Sequence, residues 1–301
     1  MKFDIAQYRD LYPFKSNFFV HSDSLKQHYI DEGEADETLV MVHGNPTWSF
    51  LYRDAVKEFS KDYRCIVPDH IGCGLSDKPS ADVFPYKISE HVDRLEKLLD
   101  YANPKYPLTL VLHDWGAVIG MGYAVRHPER IKKLVIFNSA AFRLPAGRPF
   151  PWAIALFRFT ELGPWLNNQF NAFSIIASYV CTLKGMDRRV REAFIGPYNS
   201  PANRVATTQF VLDVPLEPGD KSYKDLLHIE NNLKLLKDKP TFICFGRRDV
   251  CFKKFFFDEW VKHFPDAETH SFQAGHYLLE DVSDEVFPLM RNFLESDSKR
   301  G

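Results

Sequence analysis

The stretch "LVLHDWGAVIGMGYA" (residues 110–124) joins two patterns with no loop between them. Its first half, with Leu108 and Thr109 before it, is a continuous apolar run of strand length. A parallel sheet covered on both faces buries such runs whole. The second half is small and apolar, which suits a helix packed closely against that sheet. Asp114, flanked by His113 and Trp115, stands at the joint. A sharp strand-to-helix turn lifts one side chain above the carboxyl edge of the sheet, where many enzymes place a nucleophilic serine. Here the position belongs to a carboxylate.

Similar apolar runs recur on both sides: "TLVMVH" (38–43), "RCIVP" (64–68), "KLVIF" (133–137) and "TFICF" (241–245). Residues 17–31 read as two short strands around a polar turn, a hairpin. "AETHSF" (267–272) reads as a last strand. Between them fall helical patterns such as "SEHVDRLEKLLDYA" (89–102), with Val92, Leu95, Leu98 and Leu99 on one face. Strand alternating with helix predicts an α/β fold. From Ala141 to Leu226 the strand-like runs vanish, and helical segments rich in Phe and Trp replace them. The economical reading is a helical cap, 141–226, inserted into a core domain formed by 1–140 and 227–301.

Composition limits what such a domain does. The 301 residues are 45% hydrophobic, enough for a full core, and the formal charge of −2 is spread along the chain. Neither a nucleic-acid surface nor a polybasic membrane patch is marked. Five cysteines lie without CxxC spacing, which predicts reduced thiols and a cytoplasmic protein. The N-terminus has no apolar signal core, and the most apolar run, "PWAIALFRFTELGPWL", is interrupted by Arg158 and Glu161 and is too short to span a bilayer. No metal-ligand spacing and no Gly-rich phosphate loop is present, so neither metal nor cofactor is expected. The aromatic run in "FKKFFFDEW" (252–260) reads as core packing at helical spacing, and Asp69 with its glycines as a tight structural loop.

Ligands of open α/β sheets bind at the carboxyl ends of the strands. Polar residues gather at those ends: His43-Gly44-Asn45, Asp69-His70, Asp114-Trp115, Asn138 and Asp249, with His276 after the last strand. An aspartate at the elbow is already ionised at neutral pH if nearby donors offset its desolvation, and a helix N-terminus favours its charge. A serine there needs a base to remove its proton. No Gly-x-Ser-x-Gly motif occurs.

The motifs "HGNPTWS" (43–49), "DHIGCGLSDKP" (69–79), "HDWG" (113–116), "GRRDVCF" (246–252) and "GHYLLED" (275–281) resemble the α/β-hydrolase superfamily in its haloalkane-dehalogenase-like branch, in that family's order and over essentially the whole chain. The resemblance implies a mostly parallel eight-stranded sheet flanked by helices, with the cap following the sixth strand. It departs at Leu112, where the elbow often begins with Gly. Within the branch, "NSAAFR", "DVPLEPGD" and "GRRDVCF" look more like the β-lactone decarboxylases of bacterial long-chain olefin biosynthesis.

The resemblance assigns Asp114 as nucleophile, His276 as base or proton shuttle and Asp249 as the acid that orients it. Some relatives place that acid after the sixth strand. Asn138 holds that position here and cannot supply an anion. Backbone N–H groups of Asn45 and Trp115 would form an oxyanion hole. Their side-chain N–H groups are the pair that cradles halide in dehalogenases. The apolar cap implies a tunnel for an apolar small molecule with alkyl chains. The preferred activity is decarboxylation of a cis-3-alkyl-4-alkyloxetan-2-one to a cis-alkene and carbon dioxide through a covalent Asp114 intermediate, with a β-lactone synthetase as implied partner. Haloalkane dehalogenation is the alternative and epoxide hydrolysis the next, although Tyr179 and Tyr198 do not sit in the context of epoxide-protonating tyrosines. A non-catalytic binding protein of the same fold is the reading from another class.

Overall fold

The computed structural model describes residues 3–296. Eight strands form one sheet: β1 (Asn17–Val20), β2 (Lys26–Glu32), β3 (Thr38–Val42), β4 (Arg64–Pro68), β5 (Leu108–Asp114), β6 (Ile131–Ser139), β7 (Thr241–Gly246) and β8 (Glu268–Phe272). Their spatial order is β1-β2-β4-β3-β5-β6-β7-β8. β2 runs antiparallel to both β1 and β4, and every other pairing is parallel. The expected hairpin is thus the antiparallel edge of an otherwise parallel sheet. β3, β5 and β7 are buried along their whole length, as their unbroken apolar runs require. β8 closes the other edge with four polar residues before Phe272, none of the five buried.

Helices cover both faces. On one side lie α1 (Arg53–Phe59) and α11 (Leu278–Glu295). On the other are α2 (Ile88–Ala102) and α3 (Trp115–Arg126). α3 is apolar on every side and nearly all buried, which fits a helix wedged between the sheet and its neighbours. Its glycines permit the close approach: a Cβ at Gly116 would lie 1.9 Å from the Val42 carbonyl oxygen. A Cβ at Gly120 would lie 2.3 Å from a methyl of Leu112, so the bulk that departs from the usual elbow is accommodated one helical turn later.

Between β6 and β7 the chain forms α4 (Trp152–Phe159), α5 (Leu162–Phe170), α6 (Ala172–Val180), α7 (Arg188–Ile195), α8 (Val205–Leu212) and α9 (Tyr223–Asn232). The first five contain no strand. α9 packs on α2 and α3, so residues 223–226, grouped by sequence with the cap, begin a helix of the core layer. α10 (Lys254–His263) follows β7 and carries the aromatic run inward, with Phe256 and Trp260 buried.

Candidate active site

The site is built where β3, β5, β6 and β7 end. Asp114 closes β5 and takes φ 52° and ψ −128°, in the left-handed half of the map that L-residues rarely occupy. The helix begins at the next residue, so the strain is confined to the one position whose side chain must stand clear of the sheet. Gly44 makes room for it. A Cβ there would sit 2.1 Å from Asp114 Oδ1.

The loop after β3 supplies the first donor. The Asn45 N–H donates to Asp114 Oδ1 at 2.7 Å, and the Trp115 N–H also supports this carboxylate. The loop is braced by histidines. His43 Nδ1 donates to its neighbour's carbonyl, Gly44 O, at 2.7 Å. His43 Nε2 accepts from the His70 N–H at 3.0 Å, and His70 Nε2 donates to the His43 carbonyl at 2.8 Å. Thr47 Oγ1 accepts from the Gly44 N–H at 3.2 Å. The donor is therefore fixed before any ligand arrives, which is what makes such a group effective. Asp69 accepts from His28, from the Ser49 N–H and from the Leu75 N–H, all away from the cavity, as expected of a loop-building residue.

His276 faces Asp114 from the loop after β8, its Nε2 3.6 Å from Asp114 Oδ2. Its Nδ1 is 2.9 Å from Asp249 Oδ2, at the end of β7. Asn138, at the end of β6, donates to the same Asp249 oxygen at 2.7 Å, while its own Oδ1 accepts from the Gly246 N–H at 2.8 Å. The Cys251 N–H donates to Asp249 Oδ1 at 2.6 Å. Asn138, read from sequence only as unable to be an anion, thus holds the anion in place. Phe252 stacks on the His276 ring, with centroids 5.6 Å apart, and limits its tilt.

Burial and charge oppose one another here. Burial pushes the Asp114 carboxyl above the usual carboxylate range, although His276 and the two N–H donors pull it back. Burial also works against ionised Asp249, yet the His276 pairing and the loop N–H groups hold it below that range. His276 is disfavoured as a cation by burial, but Asp249 and Asp114 together lift it above the ordinary histidine value. The two carboxylates thus act to favour an imidazolium between them. His113, beneath it, is pushed down to about 3 by burial and by His276, and as a neutral ring it donates to the His276 carbonyl at 2.9 Å.

A cavity of about 180 Å³ lies above Asp114, between the sheet edge and α4, α6 and α8. Asp114, His276, Asn45 and Trp115 form its floor, and its walls are apolar apart from the thiols of Cys181 and Cys251. The two electrophile contacts expected from sequence differ in their engagement. Trp115 lines the cavity and leans on Phe210, with ring centroids 5.1 Å apart. The Asn45 amide instead gives one of its hydrogens to the Thr207 carbonyl of α8 at 3.1 Å, and its Oδ1 has no partner among the described residues. Thr207 was not singled out by sequence, because a main-chain carbonyl has no residue signature. Neither cap tyrosine reaches the cavity. Tyr198 is buried with its hydroxyl on the Thr47 carbonyl, and Tyr179 is exposed beneath Arg191. The epoxide alternative loses its proton donors.

Comparison with known proteins agrees with this geometry. Residues 37–282 match the sequence profile described as the α/β hydrolase fold. The chain is 50% identical to the cis-3-alkyl-4-alkyloxetan-2-one decarboxylase of Shewanella oneidensis, over 94% of this chain and 89% of the relative. It is 44% identical to the enzyme of the same name from Xanthomonas campestris pv. campestris, over 89% and 91%. Haloalkane dehalogenase 2 of Mycobacterium tuberculosis is 29% identical over 95% and 97%. Among solved structures, haloalkane dehalogenase DatA from Agrobacterium tumefaciens superposes with a TM-score of 0.81 at 22% identity, covering 94% of this chain and 96% of that one, a likeness of fold.

Proposed function

We infer that this chain, which belongs to the α/β-hydrolase fold family, is a cis-3-alkyl-4-alkyloxetan-2-one decarboxylase that works through Asp114. The observation that carries the choice of substrate is the gap between 50% and 44% identity to two such decarboxylases and 29% to a haloalkane dehalogenase, each over most of the chain. The site chemistry supports it. A carboxylate nucleophile needs no deprotonation, so Asp114 Oδ2, facing His276, attacks C4 of the strained ring with inversion. The C4–O bond breaks and its electron pair leaves as the ring-opened carboxylate, while Asp114 becomes an alkyl ester. The C3–carboxylate bond then breaks, its electrons form the C3–C4 double bond, and the Asp114 oxygen leaves C4 as carboxylate. Inversion followed by anti elimination keeps the alkyl groups cis. No water is consumed.

Each residue has a role in that sequence. Trp115 offers an indole N–H towards the departing carboxylate, and cationic His276 balances the negative charge as it moves between substrate and enzyme. Asp249, braced by Asn138, holds the imidazole orientation. The apolar walls receive the alkyl chains, each buried methylene contributing about 0.8 kcal/mol. The helices α4 to α8 act as the cap that encloses them. The insoluble product of a β-lactone-forming synthetase is the substrate supply, and the free thiols, four of them buried, fit a cytoplasmic setting.

The second reading, haloalkane dehalogenation, is favoured by the position of the Trp115 indole in the cavity floor. It uses the same Asp114 but adds hydrolysis of the ester by water activated by His276. The discriminating experiment offers purified protein a synthetic cis-β-lactone and 1-bromohexane separately. Alkene and carbon dioxide from the lactone, abolished in Asp114→Ala, are expected. Bromide release with no alkene overturns the decarboxylase reading.

A further inference from the structure

Eleven of the seventeen large apolar side chains that are exposed among the described residues fall between 152 and 183. The cap aromatics were expected to line a tunnel, and the structure divides them. Phe157 and Phe173 turn inward, while a second set faces solvent. On α4 the outward set is Trp152, Leu156 and Phe159, one stripe at helical spacing. α5 packs on both α4 and α6 and exposes Trp165 and Phe170, and α6 exposes Ile175 and Tyr179. Scattered exposed apolar residues need no explanation, but a contiguous face does.

Three observations say what covers it. First, charge: from Phe159 to Leu183 the sequence carries a single Asp, Glu, Lys or Arg, Glu161, yet the apolar stretch is flanked by Arg148 and Arg158 and by the basic run Lys184–Arg191. Between 141 and 192 there are seven Lys and Arg against three Asp and Glu; Arg143 and Arg158 pair with Glu230 and Asp220 beyond that stretch, which leaves Arg148, Lys184 and Arg191 with no ion pair among those of the described residues. Arg188 and Arg189 pair with Glu192 and Asp10 at the surface, and Lys184 is exposed. Second, composition: Trp and Tyr at the margin of an apolar face suit the boundary between acyl chains and headgroups. Third, continuity: Ile176 and Val180 are exposed on this face and also line the cavity above Asp114. A protein seated here would cover the cavity mouth, whereas an acyl layer would extend it.

We propose that the outward face of α4–α6 docks the protein on an anionic lipid surface, with the cavity mouth opening onto the acyl chains. Among the described residues no helix is long and apolar enough to cross a membrane, so the contact is a shallow, reversible one. The docking does not depend on which alkyl electrophile reacts. Its use as a route for substrate rests on the decarboxylase reading.

The test is flotation of the whole chain, without substrate, on vesicles of phosphatidylcholine alone or with about one third phosphatidylglycerol. Wild type is expected to float with the anionic vesicles, less so at high salt, and its exposed tryptophans to be quenched by brominated acyl chains. In Trp152→Ser/Trp165→Ser/Phe170→Ser, half-binding should require about tenfold more lipid or beyond. Its melting curve and its turnover of a short-chain substrate in solution should be unchanged, and failure of the activity reading would leave the flotation result intact. Wild type that neither floats nor is quenched overturns the proposal, and this outcome needs no variant. So does a concentration-dependent dimer that ignores vesicles, which would assign the face to a second copy, or tight binding of a soluble protein in place of lipid.

Discussion

Two opposing effects set the charge of Asp114, and the pH profile should report them. Burial raises its pKa above 3.8, so activity should fall with acidity earlier than for an exposed aspartate. His276 is raised above 6.5 by its carboxylate neighbours, so the cation persists to higher pH than in an ordinary imidazole and is lost as pH rises through that raised value. In the proposed reaction sequence decarboxylation uses the cation, and its rate should decline on that alkaline limb. Ester hydrolysis uses the neutral ring, and bromoalkane turnover should rise there instead. Parallel profiles for the two substrates would contradict the role assigned to His276. The stability signs differ in the same way. The raised His276 pKa stabilises the fold below about 6.5 and the benefit is lost above its folded value. The depressed Asp249 pKa stabilises above about 3.9 and is lost as pH falls through its folded value. Geometry at this scale is equally exacting. Gly44→Ala places a Cβ against Asp114 Oδ1 and Cβ, at 2.1 and 2.3 Å, so the Asp114 carboxylate must move. A loss of about 100-fold in kcat is expected, with kcat rather than KM carrying it. Asp114, His276 and Asp249 could be singled out as candidates because strand ends place them on one rim and the family resemblance orders them, and the structure brings the three together. Asn138 as a brace and Phe252 as a ring stack were not, since each acts on another side chain rather than on a motif.

At the joints between helices, one buried carboxylate works against the fold. Asp213 ends α8, accepts from the Ser222 hydroxyl before α9, and has an Oδ1 with no partner among the described residues. Ser222 also receives the N–H of Ile88 at the start of α2, so three helices meet at this oxygen. Burial pushes the Asp213 carboxyl up to about 6. Its folded pKa is raised, so this group favours the folded state below the unfolded value near 3.9 and loses that contribution as pH rises through about 6. Asp213→Asn keeps an acceptor for Ser222 without the charge. It should raise stability at pH 8 by roughly 2 kcal/mol and leave it almost unchanged at pH 4, as melting curves at the two pH values would show. A uniform shift at both would mean the gain is not electrostatic. The elements themselves were readable where periodicity was clean, as in α2, whose polar side identifies its buried side. α4 and α6 lack that contrast. Apolar residues surround α4 and α6, so the sequence shows that they are helices and that they are apolar, but not which side faces the cavity.

For the molecule as a whole, one buried side chain ties the segment leaving α6 to the loop that presents His276. Asp281, at the start of α11 and 2% exposed, accepts the N–H groups of Leu183 and Lys184 from the cap at 2.9 Å each and that of Gly275 from the core at 2.7 Å. The Tyr277 N–H adds a direct bond to the Cys181 carbonyl at 2.8 Å. The segment leaving α6 is thereby tied to the loop that presents His276. Sequence placed Asp281 in the "GHYLLED" motif but gave it no task, because its partners are main-chain N–H groups 97 and 98 residues away. Asp281→Ala leaves those donors without their acceptor, at a cost of about 3 kcal/mol. If the two halves meet through this residue, the loss will not be spread evenly. Hydrogen exchange should accelerate at 182–184 and 275–277 while β3, β5 and β6 remain protected, and kcat should fall with His276 no longer held 3.6 Å from Asp114. Asp281→Asn keeps one of the two acceptor oxygens and should fall between. Exchange that quickens throughout the sheet would show instead that Asp281 supports global stability, and that cap and core are held together elsewhere.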